Sequence, residues 1–152
     1  MTTHAWIPTV NGMVAPPTDH ALTPAAQLLV SSATSGGRLA LIATVEVPGA
    51  EPPCHRHVEA DTLLYVVAGE VTLYLDGHWV ALPVGRVGWV PRGTEYTFVV
   101  GSAPATLLTL FLPGGFEHFY TELGPTPWRD VERAIGTAAR YGCEITGPHP
   151  HT

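Results

Sequence analysis

Two histidines separated by one residue, His55 and His57, are the side chains of this sequence best placed to do chemistry together. They stand in the run Pro52-Pro53-Cys54-His55-Arg56-His57. Side chains on a β-strand alternate between its two faces, so both imidazoles would point the same way. Two imidazoles on one face can bind one metal ion, or they can act as an acid and base pair. The surrounding residues must decide between these alternatives.

Short apolar runs separated by glycine and proline surround the histidine pair. Glycine contributes 16 and proline 15 of the 152 residues. The pair Asp76-Gly77 is a strong signal for a two-residue hairpin turn. The runs that read as strands are 27–32, 39–47, 63–68, 71–75, 78–82, 87–90, 96–100 and 105–112. Strands this short and this regularly spaced predict an all-β sandwich or barrel.

The two ends of the chain have a different character from its middle. Residues 1–26 contain four prolines and are predicted to form an N-terminal arm lying on the body or on a partner subunit. Near the other end, Thr126-Pro127 predicts a helix start and Gly142 a helix end. Between them, an apolar stripe has helical spacing: Val131, Ala134, Ile135 and Ala138. The expected organisation is therefore an arm (1–26), a barrel (27–123) and a helical tail (124–152).

Composition and charge restrict the partners and the location that we expect. The formal net charge is −6, lysine is absent and no basic stripe occurs, so no nucleic-acid partner is expected. No apolar run approaches the ~20 residues of a membrane helix, and the first residues lack the order of a signal peptide. We therefore expect a cytoplasmic protein without a membrane partner. In that reducing compartment, Cys54 and Cys143 are expected to be free thiols.

The glycines and histidines are spaced in a way that resembles the cupin superfamily, especially its small single-barrel members of the type-2, quercetin-dioxygenase-like group. In the first motif, Gly49 is followed by five residues and His55-Arg56-His57, and Gly69 closes the motif. In the second, Gly85 is followed by five residues and Pro91-Arg92-Gly93. The resemblance implies an all-β fold, a jelly-roll-like antiparallel cupin barrel, to which the arm and the C-terminal α-helix are added.

The resemblance also implies a metal site, and here the sequence departs from the family. Cupins hold the metal with two histidines and a glutamate from the first motif and a histidine from the second. The glutamate position falls on Thr62, or on Asp61 if the loop is shorter, and the last histidine position falls on Tyr96. Glu59 would share the face of His57 if the strand continued that far. The implied site is therefore incomplete: a divalent ion (Fe, Mn, Ni, Cu or Zn) on His55 and His57, or no metal.

Without a metal, the same residues suggest acid and base catalysis. His55 and His57 would exchange protons with a substrate, Tyr96 would donate a hydrogen bond to a substrate oxygen, and Thr62 would assist. Some cupins of secondary metabolism carry out such cyclase, isomerase or lyase reactions, so an aromatic or polyketide-like substrate is implied. The predicted pocket also includes Leu64, Val66, Phe98, Trp89, Glu59 and Asp61.

Two further functions remain open from the sequence. One is a metal-dependent, quercetinase-like dioxygenase with a reduced ligand set, and the other is a barrel that binds a small molecule without catalysis. All three functions imply a small-molecule ligand in the barrel pocket. A homodimer is expected as well, paired through an edge strand or a swapped arm.

Overall fold

The structure is a computed structural model that describes residues 7–8, 13–14, 21–23, 26–123, 127 and 130–150. The strands are β1 (Ile7–Pro8), β2 (Met13–Val14), β3 (Ala21–Thr23), β4 (Ala26–Val30), β5 (Ala40–Glu46), β6 (Cys54–His57), β7 (Asp61–Ala68), β8 (Val71–Leu75), β9 (His78–Leu82), β10 (Val87–Val90), β11 (Tyr96–Val100), β12 (Ala105–Leu112) and β13 (Cys143–Gly147). The helices are α1 (Ser32–Ser35), α2 (Glu117–Leu123) and α3 (Val131–Arg140).

Two antiparallel sheets form the body of the protein, which confirms the predicted all-β barrel architecture. One sheet has six strands in the order β10-β7-β12-β5-β4-β3, and the other has five in the order β13-β6-β11-β8-β9. A hydrophobic core between them includes Leu64, Leu73 and Leu107, which are at most 3% exposed. A second buried cluster, around Ile42, Phe111 and Phe119, lies under α2 and α3.

The alternation of side chains along β7 decides which of its residues enter the barrel. Thr62, Leu64 and Val66 are buried, whereas Tyr65 and Val67, which alternate with them, are exposed. Because adjacent residues of a strand point to opposite faces, Asp61 lies on the outer side when Thr62 lies inside. The register thus brings Thr62, and not Asp61, into the interior.

The C-terminal segment contains the predicted helix, but it begins later than predicted. Its N-cap is Asp130, whose side chain accepts a hydrogen bond from the Arg133 backbone N–H at 3.1 Å. Thr126, the predicted cap, lies outside the described residues. The buried side of α3 consists of Ala134, Thr137 and Ala138, whereas Val131 and Ile135 are exposed, so only half of the predicted apolar stripe packs. Small side chains on the buried face allow the helix to approach the sheet closely.

A strand that the sequence reading missed follows directly after α3. Gly142, at φ +75°, turns the chain, and β13 then pairs with β6. The segment 124–152 is therefore not only a helical tail, because β13 extends the five-stranded sheet. Five residues with one buried position at Cys143 carry too short an alternation to predict a strand from sequence.

Only parts of the predicted N-terminal arm are among the described residues. In these parts, β1 pairs with β2, and β3 pairs with β4 at the edge of the six-stranded sheet. The remainder of 1–26 lies outside them, so its predicted contact with the body or a partner stays a prediction. No helix within the described part of the chain has the length and apolar character needed to cross a membrane.

Candidate functional site

The histidine pair lies on β6, between β13 and β11 in the five-stranded sheet. His55 is 7% exposed and His57 is 4% exposed, whereas Arg56 between them points outward and forms an ion pair with Glu144 at 2.6 Å. The two imidazole centroids are 5.4 Å apart and their planes are nearly perpendicular. The prediction that both rings share the inner face is therefore confirmed.

A backbone contact selects the tautomer of the neutral His55 ring. Its Nδ1 lies 2.9 Å from the carbonyl oxygen of Pro53, and since a carbonyl can only accept, Nδ1 carries the hydrogen. The other ring nitrogen, Nε2, is then left with a free lone pair in the neutral ring. Burial lowers the pKa of His55 to about 4, although the Pro53 bond and the charge of Glu95 act in the opposite direction.

Tyr96 completes a small polar group with the two histidines. It is the first residue of β11 and lies opposite His55 in the ladder, with ring centroids 4.3 Å apart. Its hydroxyl is 3.4 Å from Nε2 of His57, close enough to donate a long hydrogen bond to the neutral ring. Burial raises the pKa of Tyr96 well above its usual value, and burial together with the nearby His55 lowers the pKa of His57 to about 3. At neutral pH, all three groups are uncharged.

Thr62 lies beside this group, fully buried. It is near enough to Tyr96 to lower the pKa of that hydroxyl slightly, yet its own oxygen makes no hydrogen bond within the described structure. Thr62 does not line the cavity itself. Its position suits support of the Tyr96 hydroxyl rather than direct contact with a ligand.

The polar group faces a cavity of about 500 Å³ between the two sheets. Aromatic rings dominate its walls: Tyr96, Phe98, Phe111, Phe116, Phe119 and Tyr120. A volume of this size fits a small organic molecule, and an aromatic wall favours a flat, largely apolar one. Leu64 and Phe98 were predicted to line the pocket and do so, whereas Val66 is buried in the hydrophobic core instead.

Three residues predicted for the pocket lie outside it. Trp89 is 51% exposed on the outer side of β10, because its neighbours Gly88 and Val90 take the inward positions. Glu59 is exposed, since β6 ends at His57 and the alternation does not continue. Asp61 is outside the cavity with its carboxylate bound to Arg92, where Nε and Oδ1 are 3.2 Å apart. Hydrogen bonds from Arg92 also lower the pKa of Asp61.

Cys143, which sequence reasoning left as a free thiol, joins the histidine pair. It lies opposite His57 in the β13–β6 ladder, and its Sγ and ring nitrogens of both histidines lie within 4.8 Å of one another. Cys143 is 1% exposed, and burial raises the pKa of its thiol to about 12. Both cysteines are free, as predicted. Placing Cys143 in the site from sequence would have required the pairing of two strands far apart along the chain.

Comparison with known proteins supports the fold that these contacts describe. A family model with the description "Cupin domain" matches residues 43–111, the segment that carries the histidine pair and Tyr96. The barrel has the cupin fold. The cupin KdgF from Halomonas sp. is similar in structure at a TM-score of 0.53 and 21% identity, over 72% of this chain and 86% of that one. No curated protein matches the sequence.

Two further solved structures have the same cupin fold. An RmlC-like cupin from Shewanella frigidimarina is 26% identical, with a TM-score of 0.51, over 59% of this chain and 75% of that one. A predicted oxalate decarboxylase from Thermotoga maritima is 17% identical, with a TM-score of 0.54, over 58% of this chain and 80% of that one. At these identities the likeness supports the fold and leaves the chemistry to this cupin's own residues.

Metal binding is common in cupins, and the residues present here fit a metal of a particular kind. Neither Asp61 nor Glu59 reaches the cavity, and among the described residues the cluster of potential ligands around the histidines contains no carboxylate. His55, His57 and Cys143 instead offer two imidazoles and one thiol. The hydrogen bond from His55 to Pro53 is of the type that orients metal-binding histidines. This set suits Zn²⁺ or another ion with affinity for sulfur.

Proposed function

We propose that this cupin binds a small, largely aromatic molecule in its cavity and converts it by moving a proton, as a cyclase, isomerase or lyase does. One observation carries the proposal: a neutral imidazole with a free Nε2 and a neutral phenol stand side by side in a cavity walled by aromatic rings. A base and a hydrogen-bond donor this close together can act on adjacent atoms of one substrate.

The proposed roles follow from the tautomers. His55 Nε2 takes a proton from a substrate carbon next to a carbonyl group, and the electron pair of that C–H bond moves onto the carbonyl oxygen. The Tyr96 hydroxyl turns from His57 Nε2 and donates its hydrogen to this developing enolate oxygen. His55 then returns the proton to another carbon, which isomerises the substrate, or the electron pair expels a leaving group. A base whose pKa is about 4 is weak but is in its active form at neutral pH.

The charges around the cavity support an uncharged or cationic substrate rather than an anionic one. Six of the seven arginines are among the described residues, and all six are exposed and absent from the cavity wall: Arg38, Arg56, Arg86, Arg92, Arg133 and Arg140. An anion would enter a site without a described counter-charge, which is unfavourable in an apolar surrounding.

A carbon-acid probe tests this proposal without knowledge of the natural substrate. We expect the protein to accelerate the ring opening of 5-nitrobenzisoxazole, a neutral aromatic compound that reacts by loss of a C–H proton to a base. The rate should be constant from about pH 8 to 5 and fall near pH 4 as His55 becomes protonated. His55→Gln should remove most of the acceleration. Tyr96→Phe should lower the accelerated rate about 10- to 100-fold, since one hydrogen-bond donor is lost.

The same assay addresses the alternative of a binding barrel without catalysis. Saturable binding of the probe with no acceleration in the wild-type protein would favour that alternative. An acceleration that survives in His55→Gln would assign the base to another residue. The control is Glu59→Gln, an exposed carboxylate outside the cavity, which should leave the rate unchanged.

A second candidate function is metal-dependent catalysis, and Cys143 is the observation that favours it. His55, His57 and Cys143 would hold the ion, which would supply Lewis-acid polarisation of a substrate oxygen in the cavity. The remaining residues would keep their roles: the aromatic walls orient the substrate and exclude water, and Tyr96 donates to its oxygen. A dioxygenase with a reduced ligand set belongs to this candidate.

Cobalt spectroscopy distinguishes the metal-dependent candidate from the metal-free one. If the metal site forms, titration with Co²⁺ should give a thiolate-to-cobalt charge-transfer band that saturates at one equivalent. Cys143→Ser should abolish that band, because the band requires a sulfur ligand and the metal-bound thiolate is the group removed. Cys54→Ser is the matched control, since Cys54 is also buried and free but lies outside the cluster. No band in the wild-type protein would remove this candidate.

We also propose that the protein is a homodimer that pairs through the outer side of its six-stranded sheet. The outward positions of four adjacent strands carry apolar side chains, which we call the outer apolar face: Leu41, Ala43, Leu63, Tyr65, Val67, Val87, Trp89, Leu108 and Leu110. Apolar continuity on this scale is unusual on a solvent-facing sheet.

A further inference from the structure

A group of oxygen atoms lines the cavity on and after β5. The inward positions of this strand are Ile42, Thr44 and Glu46, and Glu51 follows in the loop to β6. The Glu51 carboxylate is fixed there, because its Oε1 accepts a hydrogen bond from the backbone N–H of Val100 at 3.2 Å. Two carboxylates therefore line a cavity whose other walls are largely aromatic and aliphatic.

Among the described residues, the Glu46 carboxylate has no positively charged partner. It forms no ion pair with any residue of the described structure, and the six described arginines all lie at the surface. Burial raises the pKa of Glu46, and the charge of Glu51 adds to this effect. A partly buried carboxylate without a counter-charge gains most from a ligand that brings a cation.

Thr44 provides an independent sign that a ligand group belongs here. The residue is only 6% exposed and lines the cavity, and its hydroxyl oxygen has no hydrogen-bond partner within the described structure. Thr44 and Glu46 line the same cavity, and they are close enough for the hydroxyl to lower the pKa of the carboxylate. A buried, unsatisfied hydroxyl destabilises the protein, and a ligand N–H donor would remove that cost.

The aromatic walls suit a cation as well. Phe116 stacks on Phe119 with centroids 4.9 Å apart, and Tyr120 contacts both rings. Ring faces attract an ammonium group through their quadrupoles. The cavity thus presents three kinds of group that can bind a protonated amine: carboxylate oxygens, a hydroxyl and aromatic faces.

We infer that the cavity is selective for aromatic ligands bearing a protonated amine, whose ammonium group binds Glu46 and Thr44. This inference rests on the proposed function and adds a substrate class to it. It requires the reacting part of the ligand to reach His55 and Tyr96 while its amine stays at β5. Glu46 would thereby act as a residue that determines specificity, not as a group that takes part in the reaction.

Three probes of similar size test the selectivity: 2-phenylethylamine, 2-phenylethanol and phenylacetate. They present a cation, a neutral hydroxyl and an anion on the same phenyl group. We expect calorimetric titration of the wild-type protein at pH 7 to give a dissociation constant for the amine about tenfold or more below that of the alcohol, with phenylacetate weakest.

Two variants assign the selectivity to its residues. Glu46→Gln should bring the amine and alcohol constants within about twofold of each other while leaving the alcohol constant unchanged, since only the charge is removed. Glu59→Gln, which removes an exposed carboxylate outside the cavity, should keep the wild-type preference. Thr44→Val should weaken amine binding several-fold and yet raise the melting temperature of the free protein by a few degrees, because an unsatisfied hydroxyl is lost.

The outcomes separate this inference from the proposed function. Equal binding of amine and alcohol by the wild-type protein would overturn the amine selectivity and leave the aromatic cavity intact. An equal loss of preference in Glu59→Gln would overturn it too, because the selectivity would then reflect overall charge. Failure of all three probes to bind would overturn both the selectivity and the cavity as a site for aromatic ligands.

Discussion

At the scale of single residues, the histidine pair couples the site to the stability of the fold. Burial holds the pKa of His55 at about 4 and that of His57 at about 3 in the folded protein, against about 6.5 when unfolded. Above pH 6.5, both rings are neutral in both states and contribute no pH dependence. Below pH 6.5, the unfolded chain binds protons that the folded protein does not. The free energy of unfolding therefore decreases as the pH is lowered, until the folded pKa values are reached.

Urea unfolding between pH 7.5 and 4.5 measures this cost. Between pH 6.5 and 4.5, we expect each buried histidine to remove roughly 2–3 kcal/mol from the free energy of unfolding. The free energy of unfolding of His55→Gln should therefore fall by about that much less over this interval, whatever the stability of the variant at pH 7.5. Parallel declines in the two proteins would mean that His55 is protonated in the folded state.

At the scale of elements, two glycines of the cupin motifs are needed for different physical reasons. Gly69 turns β7 into β8 at φ +91°, and a Cβ there would lie 2.7 Å from the Cα of Ala105. Gly49 has a similar φ of +83°, but a Cβ there would meet nothing within 4 Å. Gly49 is thus required by backbone conformation alone, whereas Gly69 is required by conformation and by close approach to β12.

A matched pair of substitutions separates the two effects. Gly49→Ala should lower the free energy of unfolding by about 1 kcal/mol, the cost of a left-handed conformation with a side chain. Gly69→Ala should cost at least about 2 kcal/mol more, because the strands must move apart. Chemical denaturation of both variants measures the difference, and equal losses would show that the β7–β12 contact relaxes freely.

At the scale of the whole molecule, the outer apolar face is the surface that most needs a partner. Val87 is 54% exposed and Trp89 51% exposed there, and Asp61 at the rim of the face pairs with Arg92. Four strands and three rows of side chains span roughly 20 by 20 Å, a flat area of ~400 Å². A stable interface buries ~800 Å² per partner, so this face would form the apolar centre of the interface and residues around it the remainder.

A second copy of the chain is the occupant that we propose for this face. Each copy has a formal net charge of −6, so two copies repel each other least when they meet through an uncharged surface. Face-to-face packing of two sheets about a twofold axis would make the interface self-complementary. If a partner of different sequence or residues of the N-terminal arm covered the face instead, the purified protein would be monomeric.

Sedimentation velocity tests the dimer directly. The wild-type protein should sediment as twice its mass of 16.2 kDa, and Val87→Glu should shift it to the monomer because a charge is buried at the interface. Val80→Glu is the matched control: Val80 is 49% exposed, also on a strand, but on the other sheet. A monomeric wild-type protein would exclude the second copy as occupant.

The amino-acid sequence by itself determined the features that depend on neighbours along the chain. Alternation on one strand put His55 and His57 on a common face, and the glycine spacing around them resembled a cupin barrel, as the structure and the comparisons confirm. The helix in the C-terminal segment followed from its own period. These features are local, so a pattern of a few residues is enough to specify them.

Only the tertiary structure decided which residues from distant parts of the chain meet. Cys143 reaches the histidines because β13 pairs with β6, and Thr44 and Glu46 reach the same cavity from the opposite sheet. Trp89 was predicted to line the pocket, but the pairing of β10 with β7 turns it outward. The register between strands is set by the whole core, and a shift of one residue reverses every side chain.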